Sequence, residues 1–155
     1  MAGTHITISP QGFEQATNLF QELAKRGNNL EPAMAAIGEY LVGSNQDRIV
    51  AGVDDEGKAF TPLSKVTNER KTKNKDKVLI ENGYLFNLVY QATADAMQMG
   101  TDRVQGAMLY YGGTRDKYPS LWGDIPARHF IGISPDDRDE VMAIINDYLS
   151  DAERA

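Results

Sequence analysis

The sequence predicts an α+β fold in which two N-terminal helices and a C-terminal helix pack on an antiparallel β-meander. Three observations predict it: apolar residues recur at helical spacing in three segments, they alternate from Tyr84 to Ala92, and turn residues stand at Asn82-Gly83 and at Gly100-Thr101-Asp102. A chain of 155 residues can bury a core of its own, so we expect a single domain over residues 1–155.

The N-terminal part of the chain predicts a short strand followed by a helix. His5 to Ile8 alternates polar and β-branched residues, which indicates a strand, here at a sheet edge. Ser9-Pro10 is a good helix start and Gly27 is a good stop. The first helix should therefore cover about residues 10–26.

The second helix should begin near Pro32 and end near Ala51-Gly52. Gly38 and Gly43 are poor helix residues, and we expect them to permit close packing against the first helix. The apolar stripe predicted for the buried face of the second helix consists of Met34, Ile37, Leu41, Ile49 and Val50.

The predicted β-meander occupies residues 79–113. Because side chains alternate between the two faces of a strand, its first strand has an aromatic face and a mixed face. We expect the helices to cover the aromatic face and leave the mixed face, with Leu85 and Val89, open to a partner protein. The aromatic face consists of Tyr84, Phe86, Leu88, Tyr90 and Ala92.

The C-terminal part predicts an extended segment and a closing helix. Phe130 and Ile133 should be buried, and Arg128 should pair with a carboxylate or a carbonyl group at an edge. Ser134-Pro135 followed by two aspartates is a strong helix start, and this helix should end within a few residues of Asp151. Its predicted apolar stripe consists of Val141, Ile144, Ile145, Tyr148 and Leu149.

The most polar stretch of the chain carries six basic residues between Lys65 and Lys77. Its composition, without an apolar period, predicts a mobile, exposed basic loop over residues 65–78. Three interpretations remain open: a solvated loop, contact with an acidic protein surface, or contact with DNA phosphates. The stretch lacks interleaved aromatic residues for stacking on bases.

The last helix is acidic, so one protomer combines a basic loop with an acidic helix. In a head-to-tail ring, the basic loop of one protomer would contact the acidic helix of its neighbour. We therefore predict protein contacts through the loop, the open strand face and the extended segment. The candidate interface residues are Lys71, Lys73, Lys75, Lys77, Leu85, Val89 and Arg128.

The sequence shows no pattern for catalysis, for a cofactor or for a metal. His5 and His129 lie far apart and stand in no HxxxH or HxxE pattern, and we expect His129 to be a partly buried packing residue. The acidic pair Asp54-Asp55 is accounted for by a predicted loop, and the pair Asp136-Asp137 by a predicted helix start. A P-loop, a GxGxxG motif and a GxSxG motif are absent, so we expect no enzyme.

Composition argues against a free-standing DNA-binding protein, a membrane protein and a secreted protein. The absence of cysteine fits a reducing compartment, and the net charge of −6 is unlike that of a free-standing DNA-binding protein. No apolar run approaches the roughly 20 residues of a membrane helix. The first ten residues lack the pattern of a signal peptide, so we expect none.

Four segments resemble the phage virion morphogenesis family, the tail completion proteins of Mu-like and P2-like bacteriophages. The segment IPARHFIGIS, residues 125–134, is the most specific match, because it is similar to the family's IPARPFLGLS signature. Residues 57–63 resemble the family's glycine, aromatic and Pro-Leu segment, which the basic loop follows. Residues 79–85 resemble its Thr-Gly-x-Leu element, and residues 99–101 its Val-Gly-Thr turn.

The sequence departs from the family's pattern, most importantly at His129 and in the segment from Ala107 to Gly113. Asn82 stands in place of threonine, and His129 stands where proline is usual. The segment from Ala107 to Gly113 lacks the histidine of the corresponding family element, which removes any reason to give that segment a catalytic meaning.

The resemblance implies a structural virion protein of the neck, assembled in the host cytoplasm. Such proteins cap the finished tail tube and help to join it to the head, usually as a ring, for which the likeness favours a hexamer. The implied partners are the tail tube and the neck or head-completion proteins, with DNA passing through the lumen without specific binding. The alternative is a nucleic-acid-associated virion protein that contacts DNA through the lysine-rich loop.

Overall fold

The computed structural model describes residues 4–8, 29–83, 87–121 and 123–154, with the backbone alone for residues 4–8 and 151–154. Within these residues the fold is α+β, as predicted. The strands are β1 (Thr4–Ile8), β2 (Val89–Ala92) and β3 (Met97–Thr101), and they form one sheet in the order β1-β3-β2. The helices are α1 (Glu31–Ala51), α2 (Lys65–Arg70), α3 (Gly106–Tyr111) and α4 (Pro135–Arg154).

The described residues divide into two compact units, each assembled from separate stretches of chain. The first unit draws on Asn45–Val89 and Gly100–Gly132, and the second on His5–Ser44, Tyr90–Met99 and Ile133–Ala155. Buried apolar side chains of the first unit are Ile49, Phe60, Leu88, Phe130 and Ile131. Those of the second unit are Leu30, Ala33, Met34, Ile37, Leu41, Met97, Met99, Val141 and Ile145.

The sheet differs from the predicted meander. β2 and β3 are joined by a tight turn in which the Thr93 N–H donates to the Ala96 carbonyl at 2.8 Å. The turn predicted at Gly100-Thr101-Asp102 is wrong for its first two residues, which are buried and continue β3. The last part of the predicted meander forms α3 instead. β1 lies at one edge of the described sheet, as expected.

Helix α1 begins and ends close to the predicted residues. The Glu31 N–H donates to Oδ1 of Asn29 at 2.9 Å, and the helix stops before Gly52, whose φ of 75° favours glycine. The predicted stripe is buried apart from Val50, which is 42% exposed. Val50 follows Leu41 by nine residues, about two and a half turns, so it faces the opposite side of the helix.

Helix α4 begins at the predicted cap. The Asp137 N–H donates to Oγ of Ser134 at 3.1 Å, and the Ser134 N–H donates to Oδ2 of Asp137 at 2.9 Å. Val141 and Ile145 are buried, while the other three residues of the predicted stripe are half-buried. Ile133, which precedes the cap, is also only half-buried.

Two predictions concern residues that the structure does not describe. The helix predicted over about residues 10–26 lies outside the described residues, and so do Tyr84, Leu85 and Phe86. The packing of Gly38 and Gly43 against that helix therefore stays a prediction. Gly38 does allow a close approach, but to the ring of Tyr90, whereas a β carbon at Gly43 would have no described atom within 4 Å. None of the described helices has the length and apolar character to cross a membrane.

Candidate interaction groove

The extended segment that contains Arg128 is fixed by hydrogen bonds to other parts of the first unit. Ile125 exchanges two backbone hydrogen bonds with Gly113, at 2.8 and 2.9 Å. The Arg128 N–H donates to the Leu109 carbonyl at 2.9 Å, and the Gly132 N–H donates to Oδ1 of Asn45 at 2.8 Å. Because its backbone is held along its length, the segment can present side chains at fixed positions.

Gly112 permits the segment to lie this close. Its φ is 73°, and a β carbon there would lie 2.7 Å from the Ala127 nitrogen and from the Ile125 carbonyl oxygen. Both the backbone angle and the space therefore require glycine at this position.

The Arg128 side chain is 6% exposed. Its Nε donates to the Thr61 carbonyl at 2.8 Å and its Nη2 to the Pro62 carbonyl at 3.1 Å. The expected pairing is therefore confirmed with carbonyl groups, and no described carboxylate forms a salt bridge with Arg128. Burial lowers the pKa of the guanidinium from its ordinary value, since removal from water disfavours the charged form.

Lys71 is a second buried cation, 7% exposed. Its Nζ donates to the carbonyls of Asn74, Lys77 and Ile80. A single ammonium group therefore organises the backbone of residues 74–80, and its three donors are all engaged.

The stretch predicted as a loop over residues 65–78 is partly helical. Its first six residues form α2, which begins where Oγ of Ser64 accepts the Thr67 N–H at 3.2 Å. No residue of α2 is buried, so the helix shows no apolar period by which the sequence could have indicated it. The mobility of the stretch stays a prediction.

Arg128 and Lys71 both line a groove with a volume of about 660 Å³ in the first unit. Its walls are mainly apolar, and Glu81 and Asp124 contribute the carboxylates. Leu63, Val78, Leu79, Ile80, Leu109 and Ile125 line the groove. Sequence reasoning missed this groove, although the apolar run Val78-Leu79-Ile80 directly after the basic stretch was a usable signal.

An aromatic cluster lies near the same extended segment. The Tyr110 ring is 4.8 Å from the His129 ring and 5.8 Å from the Phe130 ring, with the second pair edge to face. His129 has the expected packing role but is exposed. Burial raises the pKa of Tyr110, and the neighbouring Tyr111 and Asp55 raise it further.

Tyr111 extends the candidate surface beyond the groove. It is 69% exposed and lines a shallow depression. Asp124, Ile125 and Pro126 line both this depression and the groove. The groove and the depression are therefore parts of one surface, in which the groove is mainly apolar and the depression carries the exposed Tyr111.

Four other interface candidates, Lys73, Lys75, Lys77 and Val89, do not line the groove. Lys73 and Lys75 are exposed, and Lys77 is half-buried with its Nζ donating to the Val50 carbonyl at 3.2 Å. Val89 is 53% exposed while Leu88 is buried, which agrees with the predicted alternation along that strand. The structure does not describe Leu85.

The lining residues do not form a metal site, and the described residues contain no group of three or more histidines, aspartates or glutamates placed to hold a metal ion. What the groove offers is apolar surface, fixed backbone and two buried cations. These are features suited to contact with another molecule.

Residues 12–150 match the phage virion morphogenesis family. The chain belongs to this family. No curated protein and no solved structure matches it. As a phage virion morphogenesis protein, the chain has a role in the structure or assembly of the bacteriophage virion. The matched range includes the groove, the aromatic cluster and almost all of α4.

Proposed function

We propose that this protein is a tail completion protein that caps the tail tube at the neck and helps to join the tail to the head. The observation that carries the proposal is the family match, which covers residues 12–150. It acts by contact and not as an enzyme, as a homo-oligomeric ring for which we favour six copies. The tail tube and the neck or head-completion proteins are its neighbours, and DNA passes through the lumen without specific binding.

The described surface supports a contact role. The groove has apolar walls, and Tyr111 on the adjoining depression is 69% exposed. Aromatic residues and arginine are enriched in protein interfaces, and apolar patches rimmed by polar residues mark such sites. A partner that covers this surface would remove apolar area from water, which is the main favourable term in association.

The charges of the protomer support contact between unlike surfaces. Helix α4 exposes Asp136, Asp139, Glu140 and Asp147, while Lys73 and Lys75 are exposed on the basic stretch. Contacts between unlike surfaces close into rings when the rotation fits. Exposed ion pairs contribute only about 0–1 kcal/mol each, so most of the affinity should come from apolar contacts.

The alternative of DNA binding through the lysine-rich stretch is weakened by the position of Lys71. Its ammonium group donates to three backbone carbonyls and is therefore not available to a phosphate. Native mass spectrometry of the purified protein distinguishes the two functions. A discrete oligomer would favour tail completion, whereas a monomer whose DNA affinity falls steeply with salt would favour the alternative.

The proposal is tested with phage that lack this chain. We expect electron microscopy to show filled heads and separate tails, and we expect purified protein to restore joining in an extract of the defective particles. Native mass spectrometry of the purified protein, or of isolated tails, should give a discrete oligomer. Normal joined particles in the absence of the chain would overturn the proposal.

Two sets of variants separate charged from apolar contacts in the ring. Lys73→Glu with Lys75→Glu should weaken assembly at low salt and matter less at high salt, because salt screens exposed charges. Val89→Asp, on the exposed strand face, should impair assembly at every salt concentration. Normal yields of joined particles from both variants would place the contacts elsewhere on the surface.

A further inference from the structure

Arg128 combines deep burial with an incomplete set of partners. Two of its N–H groups donate to the carbonyls of Thr61 and Pro62, and a guanidinium has five N–H groups. The side chain is 6% exposed and lines the groove, yet no described carboxylate forms a salt bridge with it. The remaining N–H groups of Arg128 are not fully buried, so they can donate to an anion that enters the groove.

The groove defines what kind of anion fits. Leucine, isoleucine, valine and proline side chains form much of its walls, so a small hydrated anion would leave most of this surface uncovered. Glu81 and Asp124 also line the groove, but neither forms a salt bridge with Arg128. A carboxylate flanked by apolar side chains would satisfy both features. The volume of about 660 Å³ is large enough for several side chains.

We propose that the groove binds a segment of a different virion protein, in which apolar side chains flank one carboxylate, and that the Arg128 guanidinium receives this carboxylate. The inference rests on the proposed function, which supplies neighbours at the neck. The exposed carboxylates of α4 do not fit the groove. Their exposed neighbours on that helix are Pro135, Arg138, Ala143, Asn146 and Ser150, none of which is a large apolar side chain.

Photo-crosslinking in assembled particles tests the occupant. Leu79 lines the groove and is half-buried, so p-benzoylphenylalanine at this position should react with a bound segment. The matched control places the same residue at the exposed Gln98 in β3, which does not line the groove. Mass spectrometry then identifies the crosslinked peptide.

We expect a crosslink from position 79, and not from position 98, to a segment of another virion protein that contains an aspartate or glutamate next to apolar residues. Crosslinks to a second copy of this chain, to a segment without a carboxylate, or to nothing would each overturn the docking proposal. If the chain stands at the neck without such a crosslink, only the docking proposal fails. If the chain is absent from the particles, the proposed function fails with it.

Synthetic peptides test the role of Arg128 directly. The crosslinked sequence should bind the wild-type protein at least about tenfold more tightly than the same peptide with asparagine or glutamine in place of the carboxylate, since a charge-assisted hydrogen bond is lost. Arg128→Gln should bind both peptides with the same weak affinity. Equal binding of both peptides to the wild-type protein would overturn the carboxylate contact, and this readout does not depend on the stability of the variant.

Discussion

Gly38 in α1 lies directly against the ring of Tyr90 in β2, so that a β carbon at position 38 would clash with the Tyr90 Cδ2. Gly43, five residues further along the same helix, has no described atom within 4 Å of such a β carbon. Only Gly38 therefore has a described neighbour that requires glycine, although the sequence presents the two glycines alike.

This difference predicts opposite effects of the same substitution. Gly43→Ala should raise the free energy of unfolding by about 1 kcal/mol, because alanine is the better helix former. Gly38→Ala should lower it by about 1–3 kcal/mol, because the ring of Tyr90 must move. Urea titration of both variants measures the two values, and a stabilised Gly38→Ala variant would contradict the close contact.

The carboxylate of Asp137 is expected to be a major contributor to stability. It is 1% exposed and accepts hydrogen bonds from the Ser134 N–H and from the hydroxyls of Tyr40 and Ser44. Asp137→Ala should lower the free energy of unfolding by about 3 kcal/mol, because it removes a cap and leaves buried donors unpaired. The adjacent exposed Asp136→Ala should cost less than about 1 kcal/mol, and equal losses would contradict the assignment.

Tyr40 predicts a pH dependence at alkaline pH. Burial raises the pKa of its phenol, and the hydrogen bond to Asp137 and the charge of Asp137 raise it further. The folded state therefore holds the proton to higher pH than the unfolded state, and its stability falls as the pH rises above about 10. Tyr40→Phe should show a smaller fall between about pH 9 and pH 11 than the wild-type protein in denaturant titrations. Identical slopes would show that Tyr40 does not contribute.

Lys71 and Lys73 should differ although both belong to the basic stretch. Lys71→Met leaves three carbonyls without their donor and should lower the free energy of unfolding by about 2–3 kcal/mol. Lys73→Met, at an exposed position, should change it by less than about 0.5 kcal/mol. Limited proteolysis should also cut the Lys71 variant faster between residues 74 and 80. Matching stabilities of the two variants would argue against the buried ammonium.

Phe130 should be a principal core residue of the first unit, since it is 2% exposed and lies edge to face against Tyr110. Phe130→Ala should lower the free energy of unfolding by about 3–5 kcal/mol through the cavity it leaves. Tyr111→Ala, at a position that is 69% exposed, is the control and should change stability by less than about 1 kcal/mol. An unchanged melting temperature of the Phe130 variant would contradict its placement in the core.

Local signals in the sequence predicted the boundaries of α1 and α4 well, but not those of α2 and α3. Pro32 indicated the start of α1, and Ser134-Pro135 indicated the start of α4, where the Ser134 cap acts through atoms within a few residues of itself. Helical spacing likewise predicted most of the buried stripe of α1. It was wrong for Val50, which lies on the opposite side of the helix from Leu41.

The candidate site was predictable only in part. The segment around Arg128 and its pairing with an edge carbonyl were expected, but the groove was not, because its walls come from stretches far apart in the sequence. Gly100 and Thr101 belong to β3 and not to the predicted turn, because strand pairing also depends on residues that are distant in the sequence. A glycine next to a β-branched residue favours a turn or a strand according to whether a neighbouring strand pairs with it.

Residue types at short spacing were enough to predict the start of α1 near Pro32, the cap of α4, the alternation around Val89 and the family to which the chain belongs. The tertiary structure alone decided which cations are internal and which are free to meet a partner. Lys71 and Lys73 have the same charge and nearly the same position in the chain. They differ because carbonyl groups of Asn74, Lys77 and Ile80 converge on one ammonium group, and only the folded backbone brings those acceptors together.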